Sequence, residues 1–559
     1  MKFVRVFIYI SLLIMFSILL WGLNKGFDIT DEGYYLLGFN KFQNVSSGFY
    51  NFWNFIRIVF SDVELNVINV RIIRLLLTLF SSGVLSYGFY VWIKNIKEIE
   101  INFDVVIGVV LIGNFAGYTI FPQSLSYNSL ISNYQYTTTG LLLCLFTVKK
   151  NITFFTLILF TGFLIPLQLM TKISSGFIMF GIFLIIFLFY DFKIQNIKRI
   201  VIIFIFFFGI ILGGLLYFLF VQNADEYKNG ITEILNFQVN DRHSITEQLK
   251  IFRTTIFELY EIIVSSVFWL VMFYLLKTKL FNKKLTIISY LILSIVILLI
   301  TYYKMYDVGT TKIIFVFEML AINFFIYDIL TKKLNYSICK NEIIVFIFFF
   351  TFPFLAPTGT NNSIWYNSFF YISFWLLVII WIYYLNKKKI KYQFVLVFSL
   401  IICVILFIYN YIYHPYRITK LSLQTEYVDD NKNLKGLRVD TNTLYMINSM
   451  KKILIENNFE KGDPMIILEG PPGIIYLSEG VYFCDVVFST EGNFSKSNIE
   501  KYSNKMKKPI IIVPDGYNLA ASSKYIEELR KNNINFPEEF KKIGSFADLE
   551  REKMYNVFK

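Results

Sequence analysis

Apolar runs of nearly constant length recur along this chain and then stop. Their cores fall at 3–23, 70–93, 104–121, 131–148, 152–170, 176–190, 201–221, 256–276, 285–303, 312–330, 343–356, 366–385 and 394–413. A helix needs about 20 apolar residues, at about 1.5 Å each, to cross the hydrocarbon core of a bilayer, so the pattern predicts roughly thirteen transmembrane helices. The linkers between runs alternate in charge. Every second one carries lysine or arginine, as at Lys94 and Lys97, Lys149 and Lys150, Lys198 and Arg199, Lys283 and Lys284, Lys332 and Lys333, and Lys389 and Lys391. Linkers 122–130, 171–175, 222–255 and 358–365 are mostly neutral or mixed. Basic linkers stay on the cytoplasmic side, so the pattern predicts a cytoplasmic N-terminus, an odd number of spans and an extracytoplasmic C-terminus.

Two polar stretches on the predicted outer side are long. The first, 24–69, contains Phe, Trp and Ile residues spaced through 49–60, a pattern expected of a helix lying in the membrane surface. The second, 414–559, is long enough for a folded domain. In it 465–468 and 510–513 read as short buried strands, and 441–457 and 520–533 as helices. The predicted architecture is a polytopic α-helical membrane protein: a transmembrane domain over 1–413, followed by an extracytoplasmic α/β domain over 414–559. Glu469-Gly470-Pro471-Pro472-Gly473 follows the first strand, but its prolines remove donors that a phosphate cradle needs, so it reads as a turn or lid.

Composition agrees with a membrane location. The chain is 56% hydrophobic and 17% charged, with 62 Phe in 559 residues, more apolar surface than a soluble fold of this size hides. The formal charge of +13 is explained by the basic linkers, and no basic stripe with interleaved stacking aromatics points to nucleic acid. Cys144, Cys339, Cys403 and Cys484 are too scattered for a disulfide framework or a zinc site, and His243 and His414 are too few for a histidine metal centre. No metal and no cofactor is expected. The first run lacks a small-residue cleavage site and reads as a retained helix.

Chemistry concentrates just after that helix, in Asp28-Ile29-Thr30-Asp31-Glu32-Gly33-Tyr34-Tyr35. A carboxylate beside apolar walls has its pKa raised toward useful basicity, and Asp31 is the candidate general base. Glu32 is placed to orient Asp31 or to bind an acceptor or cationic group, and Asp28 is a rival base nearer the membrane. The structural alternative is a helix N-terminus, where acidic side chains are favoured by the macrodipole.

The acidic pair followed by Tyr35 resembles the first outer loop of the GT-C superfamily of polyprenyl-phosphate-sugar-dependent glycosyltransferases, in particular its protein mannosyltransferase and aminoarabinose transferase branch. The resemblance extends to Pro122-Gln123-Ser124-Leu125-Ser126-Tyr127-Asn128, to Leu169-Met170-Thr171-Lys172 and to Pro472-Gly473-Ile474-Ile475-Tyr476-Leu477. It implies a GT-C-like fold and an inverting transfer in which Asp31 activates an acceptor while a sugar leaves a polyprenyl phosphate. The acceptor would be a glycan, glycolipid or protein on the outer face of the cell membrane. The chain departs from some branches in having Gly33-Tyr34 where a basic residue can follow the acidic pair.

A departing phosphate needs cations. Arg71 and Arg74, about one helical turn apart at the outer end of the second helix, can grip phosphate or anchor headgroups. Lys172 interrupts apolar sequence on the outer side, against the charge bias, and is a donor-phosphate candidate. Tyr35, Tyr127, Asn128 and Lys304 are substrate-pocket candidates; the aromatic loop around Lys304 reads equally well as an aromatic belt. Arg242, His243, Arg253, Lys312 and 358–362 are further polar positions on that side. Two rival functions share the helix pattern: a transporter or flippase for a lipid-linked glycan, and a noncatalytic cell-envelope assembly protein.

Overall fold

The structure, a computed structural model, describes residues 2–40, 52–97, 99–192, 197–229, 232, 245–279, 309–331, 338–360, 362–386, 389–483, 507–517 and 524–559. Within these, helix occupies every expected apolar core except 285–303, which lies outside them. The long helices are α1 (Lys2–Gly22), α4 (Val67–Lys97), α5 (Phe103–Tyr118), α6 (Tyr127–Leu145), α7 (Asn151–Thr171), α8 (Ile173–Phe189), α9 (Arg199–Phe220) and α10 (Ile245–Lys279). They are followed by α11 (Gly309–Leu330), α12 (Lys340–Leu355), the short α13 (Ile364–Ser368), α14 (Ile372–Leu385) and α15 (Ile390–Ile408). Two further short helices, α2 (Asp31–Phe39) and α3 (Phe52–Val59), fill the first linker.

Among the described residues seven helical segments are long and apolar enough to cross a membrane. The protein is a polytopic helical membrane protein. Several of the other helices fall short by length or composition. Helices α5 and α8 are shorter, while α6 interrupts its apolar sequence with Asn128, Asn133, Gln135 and Thr137 to Thr139, nearly all turned inward and buried. The segment containing α13 and α14 is wholly enclosed and forms the centre of the bundle. Lipid is as apolar as the helices, so association rests on close packing. Gly88 of α4 lies against Gly140 of α6, where an added Cβ would come within 2.2 Å of the Gly140 carbonyl oxygen.

Beyond α15 a π-helical turn (Tyr409–Tyr413) leads into the C-terminal region. Here β1 (Glu426–Tyr427) pairs antiparallel with β2 (Arg438–Val439). A five-stranded sheet follows in the order β4-β3-β5-β7-β6, built from β3 (Pro464–Ile467), β4 (Val481–Tyr482), β5 (Ile510–Pro514), β6 (Lys542–Asp548) and β7 (Lys553–Phe558). The first three in that order are parallel and the last two antiparallel. The helices of this region are α16 (Thr441–Glu456), α17 (Gly473–Leu477) and α18 (Lys524–Lys531). Both strands expected from sequence fall in this sheet.

The first linker belongs to the core of this C-terminal region. Phe27, Ile29, Tyr34, Phe52, Trp53 and Ile56 share one buried cluster with Ile466, Ile475, Ile511 and Val557. This bears on the membrane-surface helix expected at 49–60, of which 49–51 lie outside the described residues. Phe52, Trp53 and Ile56 of α3 are covered by protein, and Trp53 Nε1 donates to the Tyr35 carbonyl at 3.0 Å, while Ile58 and Val59 stay exposed. An amphipathic pattern specifies an apolar face without specifying what covers it.

Candidate active site

The acidic segment is clamped from both sides before it starts α2. The Gly26 amide donates to the Arg438 carbonyl at 2.8 Å, and the Gly473 amide to the Ile29 carbonyl at 2.9 Å. Gly33 and Gly473 meet so closely that a Cβ on Gly33 would stand 2.3 Å from the Gly473 Cα. No other side chain fits between these backbones. This accounts for Gly33 beside the acidic pair and makes the expected lid a fixed brace. Asp28 caps α2: its Oδ2 accepts the Asp31 and Glu32 amides at 2.9 and 3.2 Å, and its Oδ1 accepts the Thr30 amide and hydroxyl at 3.0 and 2.6 Å. Burial pushes the Asp28 carboxyl up to about 6, opposed by the Thr30 hydroxyl. Arg551, from the β6–β7 turn, lies 3.5 Å from it.

The two central carboxylates then diverge. Glu32 points inward, where Oε1 accepts Arg71 Nε at 2.9 Å and Ser124 Oγ at 2.6 Å. Its Oε2 accepts Arg71 Nη2 at 2.8 Å and the Asp28 amide at 3.1 Å. Arg71 uses Nη1 and Nη2 on the Leu23, Lys25 and Gly26 carbonyls at 3.0, 2.9 and 2.7 Å. All five guanidinium N–H groups are therefore engaged. The pair is sealed, with side-chain exposure of 0% and 2%. Arg74 is buried as well, donating to the Pro122 and Tyr118 carbonyls at 2.5 and 2.9 Å and stacking 3.8 Å from the Tyr118 ring centroid. The expected donor-phosphate role does not fit these two arginines: Arg71 is saturated, and Arg74 is enclosed and holds the 118–122 turn. Together with Glu32 they form the floor of the site.

Asp31 points outward into a cavity of about 540 Å³ lined by Tyr35, Phe121, Tyr127, Asn128, Asn362, Ser363, Tyr366, Tyr416 and Arg417. The fold thus brings Asp31, Tyr35, Tyr127 and Asn128 from two separate parts of the chain to one wall. Tyr127 and Asn128 open α6, whose start is set by a reciprocal Ser126/Ser129 capping box. Lys172, the extended residue that breaks α7 from α8, sits behind this wall, its Nζ 3.5 Å from the Pro357 carbonyl and 6.0 Å from the Tyr127 ring centroid. Lys312 is paired to Glu258 at 3.0 Å. Lys304, Arg242, His243 and Cys484 lie outside the described residues.

Two of the lining residues not singled out in the sequence touch Asp31. Tyr416 donates from its hydroxyl to Asp31 Oδ2, and burial together with Asp31 pushes the phenol well above its ordinary range, so it remains a donor. Arg417 Nη1 stands 3.2 Å from Asp31 Oδ1 and donates to Thr30 Oγ1 at 2.8 Å. Its backbone is left-handed, with φ of 53°, a conformation that costs a non-glycine residue energy and gathers at functional sites. Both residues follow the last span in a stretch that reads as ordinary headgroup-level sequence; its return to the Asp31 side is the one sequence signal. Among the described residues no group of three or more His, Cys, Asp or Glu side chains is arranged to hold a metal ion.

The chain matches no protein-family model and no curated protein. Among solved structures it is similar to the Archaeoglobus fulgidus oligosaccharyltransferase. The crystal structure of that protein with zinc and sulfate is 12% identical and aligns over 91% of this chain and 68% of that chain, with a TM-score of 0.45. The crystal structure of the same protein tethered by a disulfide to an acceptor peptide containing an NVT sequon is 13% identical, over 96% and 72% of the two chains, with a TM-score of 0.41.

Proposed function

We propose that the protein is an integral-membrane glycosyltransferase of the GT-C type, moving a sugar from a polyprenyl-phosphate carrier to an acceptor on the extracytoplasmic face. The observation that carries this reading is the cavity at Asp31. It combines one part-exposed carboxylate, a wall of tyrosine and phenylalanine rings suited to a sugar, polar amides and hydroxyls, and a neighbouring cation. Its volume, about 540 Å³, lies in the range of small-ligand sites. Its position at the bundle's junction with the C-terminal region suits a substrate whose carrier stays in lipid.

In the proposed step an acceptor hydroxyl or amide attacks the anomeric carbon from the face opposite the phosphate. The new bond to carbon forms as the carbon–oxygen bond to phosphate breaks, and the bonding electron pair leaves on the phosphate oxygen. The acceptor proton passes to Asp31, and the anomeric configuration inverts. Tyr416 is a positioning residue that holds the carboxylate in one rotamer. Glu32 acts through the floor, fixing the segment that carries Asp31. Of the cations expected from sequence, Lys172 remains available to the phosphate, from behind Tyr127. The N-terminus is proposed to be cytoplasmic, following the charge alternation of the linkers.

Release of undecaprenyl phosphate from a panel of undecaprenyl-phosphate-linked sugars, in the presence of outer-envelope acceptors, tests the reading. Asp31→Asn keeps the side-chain shape and loses the base, so turnover should fall by roughly 10²-fold or more with little change in thermal stability. Turnover within a few-fold of wild type would remove Asp31 as the base.

A further inference from the structure

The carboxylate that the reaction needs free is occupied in this structure. Asp31 Oδ2 holds the Tyr416 hydroxyl and Oδ1 faces Arg417. The two contacts differ in permanence. Tyr416 is packed, its ring 5.8 Å from that of Phe121. Arg417 is 49% exposed, and both of its polar contacts are made through Nη1. Among the described residues its Nε and Nη2 have no protein partner. An exposed ion pair of this kind is weak and readily exchanged. A guanidinium with two unused nitrogens, Nε and Nη2, matches the bidentate geometry that phosphate prefers.

We propose that Arg417 is the ligand for the carrier phosphate, and that phosphate binding draws Arg417 away from Asp31, so the base is released only when a donor is in place. This rests on the glycosyl-transfer reading above. Arg71 and Arg74 cannot serve, being enclosed, and Lys172, 6.0 Å from the Tyr127 ring centroid, does not line the cavity as Arg417 does. Arg417 lines the cavity, 3.2 Å from Asp31 and half exposed, so its guanidinium reaches both carboxylate and solvent. The arrangement has a thermodynamic signature: Asp31 and the phosphate compete for one cation, so each weakens the other's hold on it.

The test is titration of the purified full chain with undecaprenyl phosphate, alongside inorganic phosphate. Arg417→Gln should weaken lipid binding by roughly tenfold or more, and Arg417→Lys by less, because it keeps the charge without the fork. Asp31→Asn should tighten binding several-fold, and that gain should vanish in the Asp31→Asn, Arg417→Gln double variant. Unchanged affinity in Arg417→Gln, or no tightening in Asp31→Asn, would overturn the inference while leaving the parent reading intact. A wild-type protein that fails to bind undecaprenyl phosphate would remove both. Inorganic phosphate binding as tightly as the lipid would overturn the carrier assignment in favour of a free anion.

Discussion

Asp31 and Glu32 are adjacent in sequence and each faces an arginine, yet the two pairs do opposite work. Glu32–Arg71 is sealed in the floor, with every guanidinium donor matched and both side chains within 2% of full burial. Asp31–Arg417 stands on the cavity wall, with side-chain exposures of 20% and 49% and donors left over. A saturated, enclosed pair fixes geometry, because any new partner must displace an existing one in a low-dielectric setting. An open pair can change partners. Adjacent residues therefore divide into an enclosed support and an open, cavity-facing group according to which way α2 turns them.

Breaking the floor should have the largest effect. Arg71→Met leaves Glu32 buried without its counter-charge, and loss of one partner from such a pair costs about 3–5 kcal/mol. The variant should lose its folded yield or show a strongly lowered thermal midpoint, whereas Arg417→Gln should keep a midpoint close to wild type. Equal destabilisation by the two would erase the distinction between floor and wall.

A smaller effect is expected where the floor meets the C-terminal region. In Gly473→Ala the new Cβ would come within 2.3 Å of the Ile29 carbonyl oxygen, and backbone cannot yield as a flexible side chain does. Such overpacking costs about 1–3 kcal/mol. The segment carrying Asp31 should shift, so turnover should fall along with stability. A variant with normal stability and turnover would show that the brace is dispensable.

Comparable in size to the last is a pH dependence at Asp28, between the two pairs. Burial raises its carboxyl from 3.8 to about 6, so the folded state binds this proton more tightly than the unfolded state. The resulting stability is fully present below about pH 4 and is lost as pH rises through about 6, at up to ~1.4 kcal/mol per pH unit. Thermal midpoints of wild type and Asp28→Asn, measured from pH 4 to 7, should differ by an amount that changes across that window. A constant difference would mean that the amides and Arg551 hold Asp28 ionised throughout.

Much of the site was legible because it interrupts a simple pattern. Asp31, Tyr35, Tyr127 and Asn128 are polar or aromatic residues where apolar runs end on one predicted side, and the fold gathers them on one cavity. Arg71 and Arg74 satisfied the same rule and were put to another use. Their spacing places both near the start of α4, but whether a guanidinium is free depends on carbonyls at 23–26 and 118–122, whose approach no spacing reveals. Arg417 was missed for the converse reason: an arginine just past a span is ordinary, and its meaning comes from a carboxylate 386 positions earlier.

The sequence by itself determined the membrane-spanning character, the helices and the short buried strands, because these follow from local runs and their period. It also marked the acidic segment after the first helix. Only the tertiary structure decided that this segment is braced between α4 and the C-terminal region, that Glu32 faces inward and Asp31 outward, and which arginine stands beside the open carboxylate. Those outcomes depend on burial and on hydrogen bonds between residues far apart in the chain, where free energy is set by which donors and acceptors meet rather than by any residue's own preference.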